Sequence, residues 1–168
     1  MSTSLITINL VIYNGGKYIR QCLDSVLAQT YPHELMELNI LDNNSTDGTS
    51  KVIKNFGFRI SDFGFAKFFS LESEKNLGMW PAQELLLEHS QGKYIVVLSV
   101  DVILHPDFVK NAVEIMEQDS KIGALQAKVY KYDLENLRTY DLTHCLFRFS
   151  FNFPPLGPDL LLNRCRDF

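Results

Sequence analysis

Stretches of continuous apolar character alternate along this chain with stretches in which apolar residues recur at helical spacing. Residues 5–13 (LITINLVIY) are nearly all apolar and rich in β-branched side chains, the pattern of a strand covered on both faces. Asn14, Gly15 and Gly16 break it. Ile19, Cys22, Leu23, Val26 and Leu27 then share one face of a predicted helix that ends near Tyr31 and Pro32. Residues 38–41 (LNIL) predict a second strand closing on Asp42, and Asn43, Asn44, Ser45, Thr46, Asp47 and Gly48 supply turn chemistry behind it. A helix is expected over 49–56, with Ser45 or Thr46 as its N-cap. Residues 57–64 read as a loop, 66–71 (AKFFSL) as a third strand, 80–90 as a helix and 93–99 (KYIVVLS) as the clearest strand of all. Pro106 suits the first position of another helix, which places Val109, Ala112, Val113 and Met116 on one face, and 122–130 predict a further strand.

Strands alternating with helices imply βαβ units on a parallel sheet, and such sheets bind ligands outside the carboxyl ends of their strands. Asp42 and Asp101 both fall at that edge. The tail differs in kind. Phe147, Phe149, Phe151 and Phe153 alternate with Arg148, Ser150 and Asn152, so an extended segment would present an all-phenylalanine face. That face is expected to need a cover, either a second copy of the chain or a partner chain.

Composition narrows the classes. At 168 residues and 46% hydrophobic content the chain can bury a core of one domain, which excludes disorder of the whole. The formal net charge is −4, with no basic stripe, so nucleic acid is not an expected partner. Cys22, Cys145 and Cys165 lack disulfide-framework or zinc spacing, and His33, His89, His105 and His144 stand singly. Cys22, on an apolar helix face, is expected in the core. No apolar run approaches the roughly 20 residues of a membrane span, and the N-terminus has no basic leader region, so a cytoplasmic location is expected.

Two places could carry chemistry. Asp42 ends an apolar strand, where a carboxylate adds little to folding, and the amides and hydroxyls behind it can read the polar edges of a nucleoside. A capped helix start would use much the same residues, so both readings stand. Asp101 follows the strongest strand, where it can hold a divalent cation, since magnesium often takes one or two protein carboxylates and completes its shell with water and phosphate oxygens. It can equally cap the turn.

The segments LITINLVIYNGGKYIRQCLDSVLAQTYP, LNILDNNSTDGTSKVI and NLGMWPAQELLLEHSQGKYIVVLSVDVILHPDF together resemble family 2 glycosyltransferases, in particular the rhamnosyltransferase-like branch, over residues 5–131. The resemblance implies a GT-A fold, a Rossmann-like α/β three-layer sandwich around a mostly parallel sheet. It implies inverting transfer of a sugar from a nucleotide-diphospho-sugar, usually with Mg2+ or Mn2+, to a saccharide or lipid-linked acceptor in cell-envelope glycan synthesis, in the cytoplasm or at the inner membrane face. Residues 1–131 would be the nucleotide-sugar-binding core and 132–168 the start of an incomplete acceptor side. The donor-binding residues it implies are Tyr13, Asn14, Asp42, Asn44, Ser45, Asp47, Asn76, Gly78 and Ser99, with Asp101 as metal ligand in the surviving half of an Asp-x-Asp motif.

The chain departs from the family pattern at particular positions. Val11 and Ile12 stand where small polar residues precede Tyr-Asn, Ser99 stands at the first Asp of Asp-x-Asp, and Gln83 replaces a frequent arginine. No match to the family's downstream acidic motif precedes Phe168; Asp141 and Asp159 are carboxylates outside it, and no catalytic base is assigned. The expectation is therefore a fragment of a longer protein, half of a two-chain enzyme or a degenerate domain. The competing class is an inactive binding module docking through the 147–153 face. A dinucleotide oxidoreductase would need G-x-G-x-x-G, which Gly15-Gly16 does not provide. Trp80 is expected to pack at its helix start rather than to stack on a sugar.

Overall fold

The computed structural model describes residues 4–127 continuously and three short strands beyond them, at 130–133, 138–141 and 159–161. β1 (Ile6–Ile12) is followed by α1 (Ile19–Leu27), β2 (Met36–Asp42), α2 (Thr49–Ile60), β3 (Lys67–Glu72), α3 (Met79–Glu88), β4 (Tyr94–Ser99) and α4 (Phe108–Gln118). β5 (Tyr130–Asp133) and β6 (Arg138–Asp141) form an antiparallel pair, and β7 (Asp159–Leu161) joins the main sheet. That sheet is parallel throughout, in the order β3-β2-β1-β4-β7.

β1 lies at its centre and every residue of β1 and β2 is buried, as expected of strands covered on both faces. The two faces differ. Ile6, Ile8, Leu10 and Ile12 of β1 join Tyr94, Val96 and Leu98 of β4 and the apolar stripes of α1, α2 and α4 in one large core. On the other face α3 meets Val11 and Leu41 through Ala82 and Leu86. Toward the amino ends of the strands that face turns polar, with Thr7, Asn9, Glu37 and Asn39 all buried. They are bonded to each other and to the turn after α3. Glu37 Oε2 accepts from Thr7 Oγ1 at 2.6 Å and from the Gln91 amide at 2.9 Å, and Thr7 Oγ1 accepts from the Gly92 amide at 2.9 Å. Asn9 and Asn39 both reach Ser90 Oγ, at 3.1 and 3.3 Å.

Three expectations are corrected. Residues 57–60 continue α2 and 61–63 form a 3-10 turn, so 57–64 is not a loop. Gly57 does not break the helix: a Cβ there would come within 2.8 Å of Phe68, so the glycine serves close approach to β3. The N-cap of α2 is Gly48 at φ 88°, with neither Ser45 nor Thr46 in that place. Residues 122–127 are not a strand; Ile122 and Leu125 are apolar because that irregular segment packs on the core. Trp80, at the start of α3, is 51% exposed. The alternating face of residues 147–153 lies outside the described residues.

Candidate functional site

The strand order makes the site's position a matter of topology. From β1 the chain winds outward through β2 to β3 and then returns to the opposite side of β1 as β4. A crevice opens at the carboxyl edge where the winding reverses, and open α/β sheets bind ligands there. Asp42 is the last residue of β2 and is in register with Ile12 at the end of β1; Ser99 is the last residue of β4 and is in register with Val11. The two acidic positions thus flank the end of the same central strand, Asp42 on one side and Asp101, two residues past β4, on the other.

Their surroundings are unlike. Asp42 is 2% exposed; its Oδ1 accepts the Ser45 amide at 2.9 Å and its Oδ2 is buried with no hydrogen-bond partner among the described residues. Asp101 is exposed, and its Oδ1 accepts the Ser99 hydroxyl at 2.5 Å. Cys22 lies beneath, its thiol 3.7 Å from the Ser99 carbonyl. Burial first, and then the Asp101 charge, push that thiol up to about 12, so it stays protonated and inert.

The remaining positions expected at the site are gathered at this edge, and several are joined to one another. The loop after β1 and the loop after β2 are stitched together. The Asn14 amide donates to Ser45 Oγ at 2.9 Å and the Thr46 amide to Asn14 Oδ1 at 2.8 Å. Gly15 donates to Thr49 Oγ1 at 3.0 Å and Gly16 to Asp47 Oδ2 at 2.8 Å. Asp47 Oδ1 accepts the Thr49 hydroxyl at 2.5 Å and the Thr49 amide at 3.1 Å, an Asx turn that leads into α2. The Thr49 hydroxyl first, and then the Gly16 amide, hold the Asp47 carboxyl below its usual range. Asn14 and Asn44 have left-handed backbones, at φ 50° and 67°, conformations that asparagine tolerates better than most residues. Tyr13, at the end of β1, is half exposed.

Asn43 was not singled out by the sequence, yet it organises the next stretch. Its Nδ2 donates to Asn76 Oδ1 at 3.0 Å and to the Gly78 carbonyl at 3.3 Å, and its Oδ1 accepts the Leu77 amide at 2.8 Å. Asn76 Oδ1 also takes the Gly78 amide at 2.9 Å. Gly78, at φ 82° and ψ 171°, occupies a region essentially closed to residues with a Cβ, and α3 starts at the next residue. The available signal was position: a second amide directly behind a strand-ending acid.

Among the described residues no three His, Cys, Asp or Glu side chains come together as a metal-binding group. The donor chemistry of Asp101 nevertheless fits a hard cation: one exposed carboxylate, with room for the phosphate oxygens and water that complete a magnesium shell.

Comparison with known proteins agrees with this arrangement. An uncharacterized glycosyltransferase of Rickettsia typhi is 27% identical over 139 residues, 82% of this chain and 39% of that protein. Glycosyltransferase AglE of Haloferax volcanii is 26% identical over 108 residues, 64% of this chain and 34% of that protein. The chain thus spans well under half the length of these curated relatives. Among solved structures, a mannosyltransferase from Pyrobaculum calidifontis in complex with GDP-Man and Mn2+ matches with a TM-score of 0.68 at 25% identity, over 75% of this chain and 36% of that one. S. aureus TarS 1-349 in complex with UDP-GlcNAc matches in fold, with a TM-score of 0.66 at 19% identity, over 74% of this chain and 34% of that one. The α/β sheet described above is the GT-A fold of these proteins. The sequence model of glycosyl transferase family 2 matches residues 7–165, and the chain belongs to that family.

Proposed function

We propose that this chain carries the donor site of an inverting glycosyltransferase and binds a nucleotide-diphospho-sugar across the carboxyl ends of β2, β1 and β4. The observation that carries the reading is Asp42, a buried carboxylate with one oxygen committed to the Ser45 amide and the other without a partner among the described residues. An unused buried acceptor forfeits a hydrogen bond that water would have given it, so such an atom calls for an explanation. A base N–H or ribose hydroxyl of a bound nucleotide is the partner it lacks.

In this reading Asp42 orients the nucleoside, with Tyr13 standing half exposed at the neighbouring strand end. The stitched loops, through Asn14, Asn44, Ser45 and Asp47, and the turn held by Asn76 and Gly78 give the pocket its shape. Asp101 and Ser99 hold the diphosphate side, where Asp101 would ligate Mg2+ or Mn2+. A divalent cation bound there supplies charge neutralisation on the departing diphosphate. Inversion also needs a carboxylate that takes the proton of the attacking hydroxyl, a role assigned to none of the described residues. The acceptor, a saccharide or lipid-linked saccharide of the cell envelope met in the cytoplasm or at the inner membrane face, is taken from the family resemblance.

The test is a thermal melt with UDP-, dTDP- and GDP-linked sugars, each with Mg2+. A ligand at about 100 times its Kd adds about 2.7 kcal/mol to stability, which raises the melting temperature by several degrees. Asp42→Ala should abolish the shift and Asp101→Ala should remove its Mg2+-dependent part. No shift with any of the donors overturns the reading.

A further inference from the structure

The turn that carries Asp101 is held by polar side chains of α1. Cys22, Ser25 and Gln29 recur at i, i+3 and i+7, so they share one face of α1 and of the residues that follow it, and all three are buried. Each bonds the backbone that runs from the end of β4 into α4. The Cys22 thiol donates to the Ser99 carbonyl at 3.7 Å. Ser25 Oγ donates to the Cys22 carbonyl at 2.7 Å and accepts the Leu104 amide at 3.1 Å. Gln29 uses both ends of its amide: Nε2 donates to the Ser25 carbonyl at 3.0 Å and to the His105 carbonyl at 2.9 Å, and Oε1 accepts the Val109 amide at 3.0 Å. The Val102 amide donates to the Ser99 carbonyl at 3.1 Å, which closes a β-turn with Val100 and Asp101 at its centre. That turn is therefore anchored behind at Ser99 and ahead at Leu104, with Asp101 exposed between the anchors.

We infer that Ser25 and Gln29 are positioning residues for the divalent cation, an inference that rests on the donor reading above. Both are committed to backbone, and they act by fixing the turn that presents Asp101. A site with one protein carboxylate gains little from the number of its ligands, so its affinity depends on how far that carboxylate is in place before the ion arrives. Leu104 is buried in the large core and keeps the loop on the molecule, but apolar contact alone lets a backbone slide. Hydrogen bonds are directional, and buried ones cannot be exchanged for water. Starting α4 would need only the bond from Gln29 to Val109. The bonds to Leu104 and His105 fall on the loop itself, ahead of the helix. Partners one step behind a metal ligand commonly change metal affinity by 10- to 100-fold; Ser25 and Gln29 stand a step further back, so an effect of up to about tenfold is expected.

The experiment titrates the full chain with UDP and with GDP by calorimetry, once in Mn2+ and once in EDTA. The ratio of the two Kd values is the gain in affinity that the metal supplies; pairing of Mn2+ with free nucleotide is common to all variants and cancels between them. At least one nucleotide should show a gain in the native chain, and Asp101→Ala should abolish it. Ser25→Ala, which loses a single hydroxyl, and Gln29→Met, which keeps the side chain's length and removes its polar atoms, should each remove most of the gain, up to about tenfold, and leave the Kd in EDTA unchanged. Leu23→Ala is the control. It opens a cavity in the core face of the same helix and lowers the melting temperature, but Leu23 makes none of these bonds, so the gain should stay at its native value. If Gln29→Met does not fold, Ser25→Ala decides alone. The inference is overturned, with the donor reading left standing, if Asp101→Ala abolishes the gain while the Ser25 and Gln29 variants keep it, or if Leu23→Ala loses as much as they do. Failure of both nucleotides to bind, or a gain that survives Asp101→Ala, overturns both.

Discussion

Asn43 uses both ends of its side-chain amide on the turn ahead of α3, donating to Asn76 and Gly78 and accepting from Leu77. It is 3% exposed, so water cannot replace what a substitution removes. Asn43→Ala should cost about 2–3 kcal/mol in urea unfolding, at about 1 kcal/mol for each lost bond, and should weaken nucleotide binding because Asp42 is its neighbour. Asp47 makes a prediction in pH. Its folded carboxyl is held low by the Thr49 hydroxyl and the Gly16 amide, so its stabilisation is present above the unfolded value and is lost as pH falls through the folded one. The stability difference between the native chain and Asp47→Asn should therefore stay constant above pH 3.8 and shrink below it in acid-dependent denaturation. The sequence made Asp42, Asp47 and Asp101 visible as acids beside strand ends. It could not tell which oxygens are already committed: Asn14, Ser45 and Asp47 bond across two loops about 30 residues apart in the chain, a pairing that no local spacing encodes.

Glycine decides two elements in ways that its usual reputation hides. Gly92 precedes β4 and lies so close to β1 that a Cβ would stand 2.4 Å from the Thr7 amide nitrogen. Backbone cannot yield as a flexible side chain can, so Gly92→Ala should destabilise by about 3 kcal/mol, the upper part of the overpacking range, measured as a shifted denaturation midpoint at unchanged slope. Gly57 was legible only as punctuation, because the facing Phe68 that explains it comes from another element. β1, β2 and β4 were legible because strands buried on both faces are apolar whatever lies above them. Residues 122–127 look alike in sequence for a different reason: core packing without a ladder also selects apolar side chains.

At the scale of the molecule, the alternation of strands and helices gave the parallel sheet, and the position of two acids at its carboxyl edge followed from that. The placement of α1 and α2 on one face and of α3 on the other follows from the right-handed crossover once the strand order is known, and the order is invisible in the chain; α4 packs with α1 and α2. The polar half of the α3 face was equally hidden, since Thr7 and Asn9 sit inside a run that reads as uniformly apolar. α3 is tied at its front by Asn43 and at its back by Ser90, Gln91 and Gly92. Methyl groups tolerate a slide of a fraction of an ångström, but hydrogen bonds are directional, and moving α3 by one residue's rise of about 1.5 Å would break the ties at both ends. Such a helix is a fixed rail. In the donor site as proposed, a change of sugar preference would have to come from exchanging side chains along that rail, because the rail itself has no room to move.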